Sequence, residues 1–290
     1  MKYRSVVLLF LFVLTFSSFR HDKPAYQLFN AKGKQTKFKK LLKDAEKADV
    51  IFFGELHNNP ISHWLQLELT KDMFESREGR IILGAEMFEA DNQLVLNEYL
   101  NDQISKENFE SEARLWKNYK TDIAPLVEFA KENQIRFVAS NIPRRYASMV
   151  FRGGFEVLDT LTDEAKSFIA PLPVDFDIEL PGYRNMLNMM AGHGGEPNEN
   201  FPKAQAIKDA TMAWFIHQNF MDGKLFIHFN GSYHSDNYEG ILWYLNRLNP
   251  DLNLMTIATI EAENSRRLPE EKVGVADYII AVPPTMTKTH

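Results

Sequence analysis

Cysteine is absent from the 290 residues of this chain. Without it there is no disulfide framework, no thiolate-based zinc or iron–sulfur site, and no residue that could carry a lipoprotein acyl chain. A large excess of either charge is also missing. The formal charge is -6, and no basic stripe runs through the body of the chain, which argues against nucleic acid as a partner. The apolar run from Val6 to Phe16 falls short of the roughly 20 residues a membrane-spanning helix needs. It follows Lys2 and Arg4 and ends on Ser17 and Ser18, the anatomy of a secretory signal peptide. Residues 1–18 therefore read as a signal peptide or an N-terminal anchor, and the protein as exported, periplasmic or associated with the cell envelope. The remainder shows no internal repeat and no low-complexity tract.

What the chain does have is an ordinary apolar content and enough length for a large core. Its most informative stretch is VIFFGELHNNPISHW, from Val50 to Trp64. A short β-branched and aromatic run that stops at glycine reads as a buried strand, and Pro60 reads as the start of a helix. The same pattern returns downstream in KLFIHFNGSYHSDN. Each strand empties into a G-x-x-H turn, Gly54 to His57 and Gly231 to His234. Further strands are expected at Arg80–Met87, Ile135–Ala139, Leu252–Ile260 and Tyr278–Val282, with helices between them and a mostly helical stretch over Asn101–Tyr119. Strands alternating with helices predict an α/β fold: a mainly parallel sheet with helices on both faces. Residues 24–290 read as one such domain. The proline-rich segment 153–202 breaks the rhythm and reads as a small helical lid or insertion.

On this reading GELH, AEMFE, SNIPRR and FNGSYH all lie at strand C-termini, the edge where open α/β sheets bind ligands. His57, His234 and Glu86 could ligate a divalent metal such as zinc, manganese or iron, whose bound water would serve as a nucleophile. Glu55 and His57 could instead form a metal-free acid/base pair. If the protein is a hydrolase, Glu55, His57 and His234 are its catalytic candidates. The alternative for both histidines is capping or supporting a polar turn. Asn141, Arg144 and Arg145 suit a carboxylate or phosphate, or simple surface ion pairs. Tyr146 and Tyr183 could hold iron as phenolates or merely pack. His193, in a Gly-rich loop, could line the cleft. His63 and His217 read as ordinary helix residues, and His228 as core.

Five stretches, GELHNNPISH, AEMFEADNQ, YKTDIAPLVEFAKENQIRFVASNIPRR, KAQAIKDATMA and NGSYHSDNYEG, resemble in order the ChaN-like haem-binding uptake family. That family shares a superfamily with Tiki peptidases and erythromycin esterases. The resemblance implies an α/β domain with a small helical subdomain, haem as ligand, and a tyrosine (Tyr146 or Tyr183 here) as its iron donor. It implies a role in haem and iron uptake, and leaves a homodimer and membrane-associated uptake machinery open as partners. The Tiki relatives imply the metal-dependent hydrolase instead, with the two G-x-x-H histidines and Glu86 or Glu55 at the metal.

Overall fold

A computed structural model describes residues 23–192 and 198–290. The segment 1–18 and His193 lie outside the described residues. The first strand, β1 (Gln27–Asn30), leads through helix α1 (Phe38–Ala45) to β2 (Val50–Glu55). Helix α2 (Pro60–Ser76) connects to β3 (Ile81–Glu89). Helices α3 (Gln93–Leu100), α4 (Lys106–Glu112) and α5 (Ala124–Glu132) precede β4 (Phe137–Asn141). Four helices follow: α6 (Arg144–Gly153), the short α7 (Asp163–Lys166), α8 (Pro181–Gly192) and α9 (Asn200–Asn219). The chain then closes with β5 (Leu225–Gly231), α10 (Ile241–Leu248), β6 (Leu254–Glu261) and β7 (Tyr278–Val282).

The strands form one seven-stranded sheet in the order β1-β7-β6-β2-β5-β3-β4. All neighbours are parallel except the antiparallel edge strand β1. Every residue of β2 and of β5 is buried, as parallel strands covered on both faces must be. Alternation along β2 sorts its side chains between two cores. Ile51 and Phe53 face α1, α2 and α5 through Leu41, Leu69 and Val127. Val50 and Phe52 face α9 and α10 through Ala210, Ile216 and Leu245. The α/β reading with helices on both faces is what the structure has. Among the described residues no helix is long and apolar enough to cross a membrane.

The stretch expected to be largely helical, Asn101–Tyr119, contains the seven residues of α4 and, at its last residue, the start of a π-helical turn, Tyr119–Ile123. Ser105 caps that helix by accepting from the Asn108 N–H. Past Ala113 the chain is drawn into extended form because Arg114 is needed elsewhere. Its backbone N–H reaches Asn92 Oδ1 at 3.0 Å, and its guanidinium pairs with Glu89 and Asp91. Long-range ion pairs there outweigh a weak local helix preference.

Candidate functional site

β2 and β5 are neighbours in the sheet, yet their following helices leave to opposite faces: α2 packs in one core and α10 in the other. Such a reversal opens a crevice at the strand C-termini. Both G-x-x-H turns lie there; close approach of backbone requires glycine at 54, while at 231 a side chain would push the His57 ring aside. A Cβ on Gly54 would sit 2.9 Å from the Ser232 backbone, and one on Gly231 2.8 Å from the His57 ring. Asn59 then starts α2, its Oδ1 accepting from the N–H groups of Ile61 and Ser62, with Pro60 at the first helical position.

The first turn presents its histidine to solvent. The His57 side chain is 41 % exposed, with its ring edge-on to Trp116 at 4.9 Å between centroids. Its Nδ1 lies 2.9 Å from Glu55 Oε1. The other Glu55 oxygen accepts from Gln66 Nε2 at 2.6 Å, so the carboxylate is buried and held from behind. Beneath it, His63 bonds the His57 carbonyl at 3.0 Å and Gln66 at 3.2 Å. Partial burial works against the His57 imidazolium, but the carboxylates of Glu55 and Glu86 outweigh it and raise its pKa.

The second turn withdraws its histidine. The His234 side chain is 6 % exposed, with Nδ1 2.5 Å from Asp209 and Nε2 3.2 Å from Glu86. Burial alone would discharge the ring; the two flanking carboxylates prevail and push its pKa up to about 10. Glu86 also accepts the Gly231 N–H at 2.7 Å. Against the cost of its own burial, His234, His57 and that N–H hold its pKa well below the carboxylate range. Asp209 further accepts from the Tyr183 hydroxyl at 2.9 Å, and burial raises its pKa. The result is a buried carboxylate–imidazolium–carboxylate string.

Above the first turn is an open cleft of about 610 Å³, lined by Leu56, His57, Tyr233, Asp236, Ile260 and Lys272 among others. Asp236 Oδ1 is buried there with no partner among the described residues, and burial raises its pKa to about 7. A cavity of about 540 Å³ sits at the opposite sheet edge, near Asp44 and Tyr278. Its Asp44 is already engaged: Lys40 pairs with it at 2.8 Å, and the Tyr278 hydroxyl donates to it at 2.6 Å. The chemistry therefore gathers at the cleft.

The structure brings Glu55, His57, Glu86 and His234 together around Gly231. Asn141 lies behind them, donating to the Glu86 carbonyl at 2.9 Å, its Oδ1 buried without a partner among the described residues. Tyr183 is 3 % exposed and Tyr146 8 %, the latter with Arg145 over its ring. Arg145 is paired with Asp91 at 2.6 Å, whereas Arg144 lines a separate small pocket. His228 is fully buried, 2.8 Å from Ser140 Oγ, and burial lowers its pKa to about 4.

The expected metal set of His57, His234 and Glu86 gains no support. Both ring nitrogens of His234 already face carboxylates. Among the described residues no group of three or more His, Asp or Glu side chains is arranged to hold a metal ion. Sequence reading missed Asp209, His63 and Gln66. Asp209 carries a signal in retrospect. α9 is buried at Ala206, Ile207 and the whole run Asp209–Ala213, and an acid inside so apolar a stretch needs a partner.

The family model for haem-binding uptake proteins, Tiki superfamily, ChaN, matches residues 41–245. Among solved structures, the fold is similar to that of ChaN of Campylobacter jejuni, described with cofacial haem binding. The TM-score is 0.66 at 16 % identity, covering 88 % of this chain and 96 % of that one. An erythromycin esterase, EreC, in its open conformation aligns with a TM-score of 0.46 at 13 % identity, over 82 % of this chain and 77 % of that one. No curated protein matches the chain.

Proposed function

Since the chain belongs to the ChaN family of haem-binding uptake proteins in the Tiki superfamily, we propose that it is an exported haem-binding protein serving haem and iron uptake. The observation that carries this reading is the open cleft at the β2/β5 switch point, with a half-exposed imidazole at its wall. The residues there fit the group. Leu56, Tyr233 and Ile260 offer apolar surface to a flat macrocycle, and Lys272 a cation to a carboxylate. His57, its Nδ1 held by Glu55, is the nitrogen donor that would hold the haem iron. Bound haem would supply an iron centre. The chain's own part is to orient the imidazole, keep its Nδ1 occupied and shield one face. The described residues of segment 153–202 belong to the same domain in this proposal, and Phe176, Tyr183 and Met186 among them cover the second core.

A hemin titration followed by absorbance tests this, using the chain from Phe19 onward. We expect a saturable spectral change, at least tenfold weaker in His57→Ala. A loss confined to Tyr146→Phe or Tyr183→Phe would move the iron to a phenolate. A flat titration would overturn the reading.

One observation favours a second reading. Glu55, anchored by Gln66, orients His57 as the carboxylate of an acid/base pair does, which suits a hydrolase that uses no metal. Ester turnover abolished by His57→Ala and insensitive to chelator would support it; no turnover of any ester in a broad screen would count against it.

A further inference from the structure

Beyond haem binding, we propose a second ligand site, a pocket between α6, α8 and α9 that takes a carboxylate carried on a short apolar body, of the medium-chain fatty-acid type. The pocket holds about 260 Å³, less than half the cleft over His57 and just under the usual range for small-molecule sites. Its charged side chains are Arg144 and Lys208. Neither has an ion-pair partner among the described residues, although cations nearby are neutralised: Arg145 by Asp91 at 2.6 Å and Lys203 by Glu199 at 3.5 Å. The carboxylate next to Lys208, Asp209, is turned into the core against His234 and Tyr183.

Apart from Ser148 and Gln205, the rest of the wall is apolar. Phe151 stands edge-on to Phe201, 6.2 Å between centroids, with Met186 beside them. Phe151 is 43 % exposed, a cost in water that an apolar ligand would remove. Two cations beside an uncovered apolar wall match one chemistry, an anion head on a hydrocarbon tail; guanidinium and ammonium both bind carboxylates by charge-assisted hydrogen bonds. Gln205 lines the pocket, with its amide nitrogen 3.0 Å from His234. An occupant would thus lie one residue from the buried string that ends at Gly231 and His57.

Titration calorimetry with octanoate and with octanol tests the site. The expected result is saturable one-to-one binding of octanoate, at least tenfold weaker in Lys208→Gln and in Arg144→Gln. Octanol should bind at least tenfold more weakly than octanoate, and Phe151→Ser should weaken octanoate as well. Thermal melts identify any variant that fails to fold, and the remaining variants then decide. Absence of saturable octanoate binding, or equal affinity in the folded cation variants, would overturn the proposal. Octanoate affinity should be unchanged in His57→Ala; loss there would mean that the anion sits in the haem cleft. A protein that binds octanoate but not hemin would refute the haem reading alone.

Discussion

The two G-x-x-H turns start from the same sequence pattern and end in opposite environments. His57 stands at the cleft with a single carboxylate at its Nδ1, while His234 is enclosed between two. The difference lies in what the sheet places behind each. Glu86 on β3 and Asp209 on α9 converge on the second turn, whereas the first turn opens toward solvent over Glu55. An imidazole enclosed by two buried carboxylates serves chiefly to keep them from being unpaired. A half-exposed one held at one nitrogen is free to meet a ligand. Identical motifs, therefore, need not carry identical roles.

The strongest way to break this comparison is to remove each histidine. His234→Ala strands Glu86 and Asp209 in the core, and we expect a loss of about 3–5 kcal/mol in denaturant unfolding. A loss below 1 kcal/mol would show that the string is not the structural half of the pair. The pH dependence should be nearly as large. His228 is kept neutral with its pKa lowered to about 4, while the unfolded chain takes up a proton near 6.5. Stability should thus fall by about 3 kcal/mol between pH 6.5 and 4. His234 works in the other direction. Its raised pKa means that its contribution is complete below about 6.5 and is lost as pH climbs to about 10. Stability should peak near pH 6.5, and His228→Asn should flatten the acid limb; an acid limb unchanged in that variant would rule out His228 as its cause.

Smaller effects sharpen the comparison. Gly231→Ala places a methyl group against the His57 ring and should cost about 1–2 kcal/mol. It should also weaken hemin binding. Normal binding in that variant would mean that the seat of the ring is unimportant. His57→Ala leaves buried Glu55 with Gln66 but short of one partner and should cost about 1–2 kcal/mol, less than His234→Ala, while reducing hemin affinity at least tenfold. The smallest change is expected from Glu55→Gln: the His57 pKa, read by NMR titration, should drop toward its ordinary value because the main stabiliser of its charge is gone.

Much of the frame was legible because its signals are local. Val50–Glu55 and Leu225–Gly231 are short apolar runs ended by turn residues, and Pro60 marked α2 correctly. Asn101–Tyr119 was misread because Arg114 is recruited by Glu89 and Asp91, partners more than twenty residues away. At the site, Glu55, His57, Glu86 and His234 could be picked out as a group from strand-end placement alone. Their division into an exposed pair and a buried string could not, since burial is a property of what packs on top. Gln66 sits on a helix whose sequence does not announce which face turns inward, and Asp209 is marked only by the small and apolar residues around it, which do not name its partner.

By itself the sequence determined the alternation of strands and helices, the parallel sheet it requires and the edge on which the polar turns gather. Those follow from periodicity and from the sterics of glycine and proline, which act over a few residues. Only the tertiary structure decided which histidine is charged and enclosed, which meets the cleft, and that Arg144 and Arg145 part ways, Arg145 to Asp91 and Arg144 to a pocket with no carboxylate partner among the described residues. Each depends on how close distant segments bring their charges and how much water they exclude, and the energies involved exist only once the chain has packed.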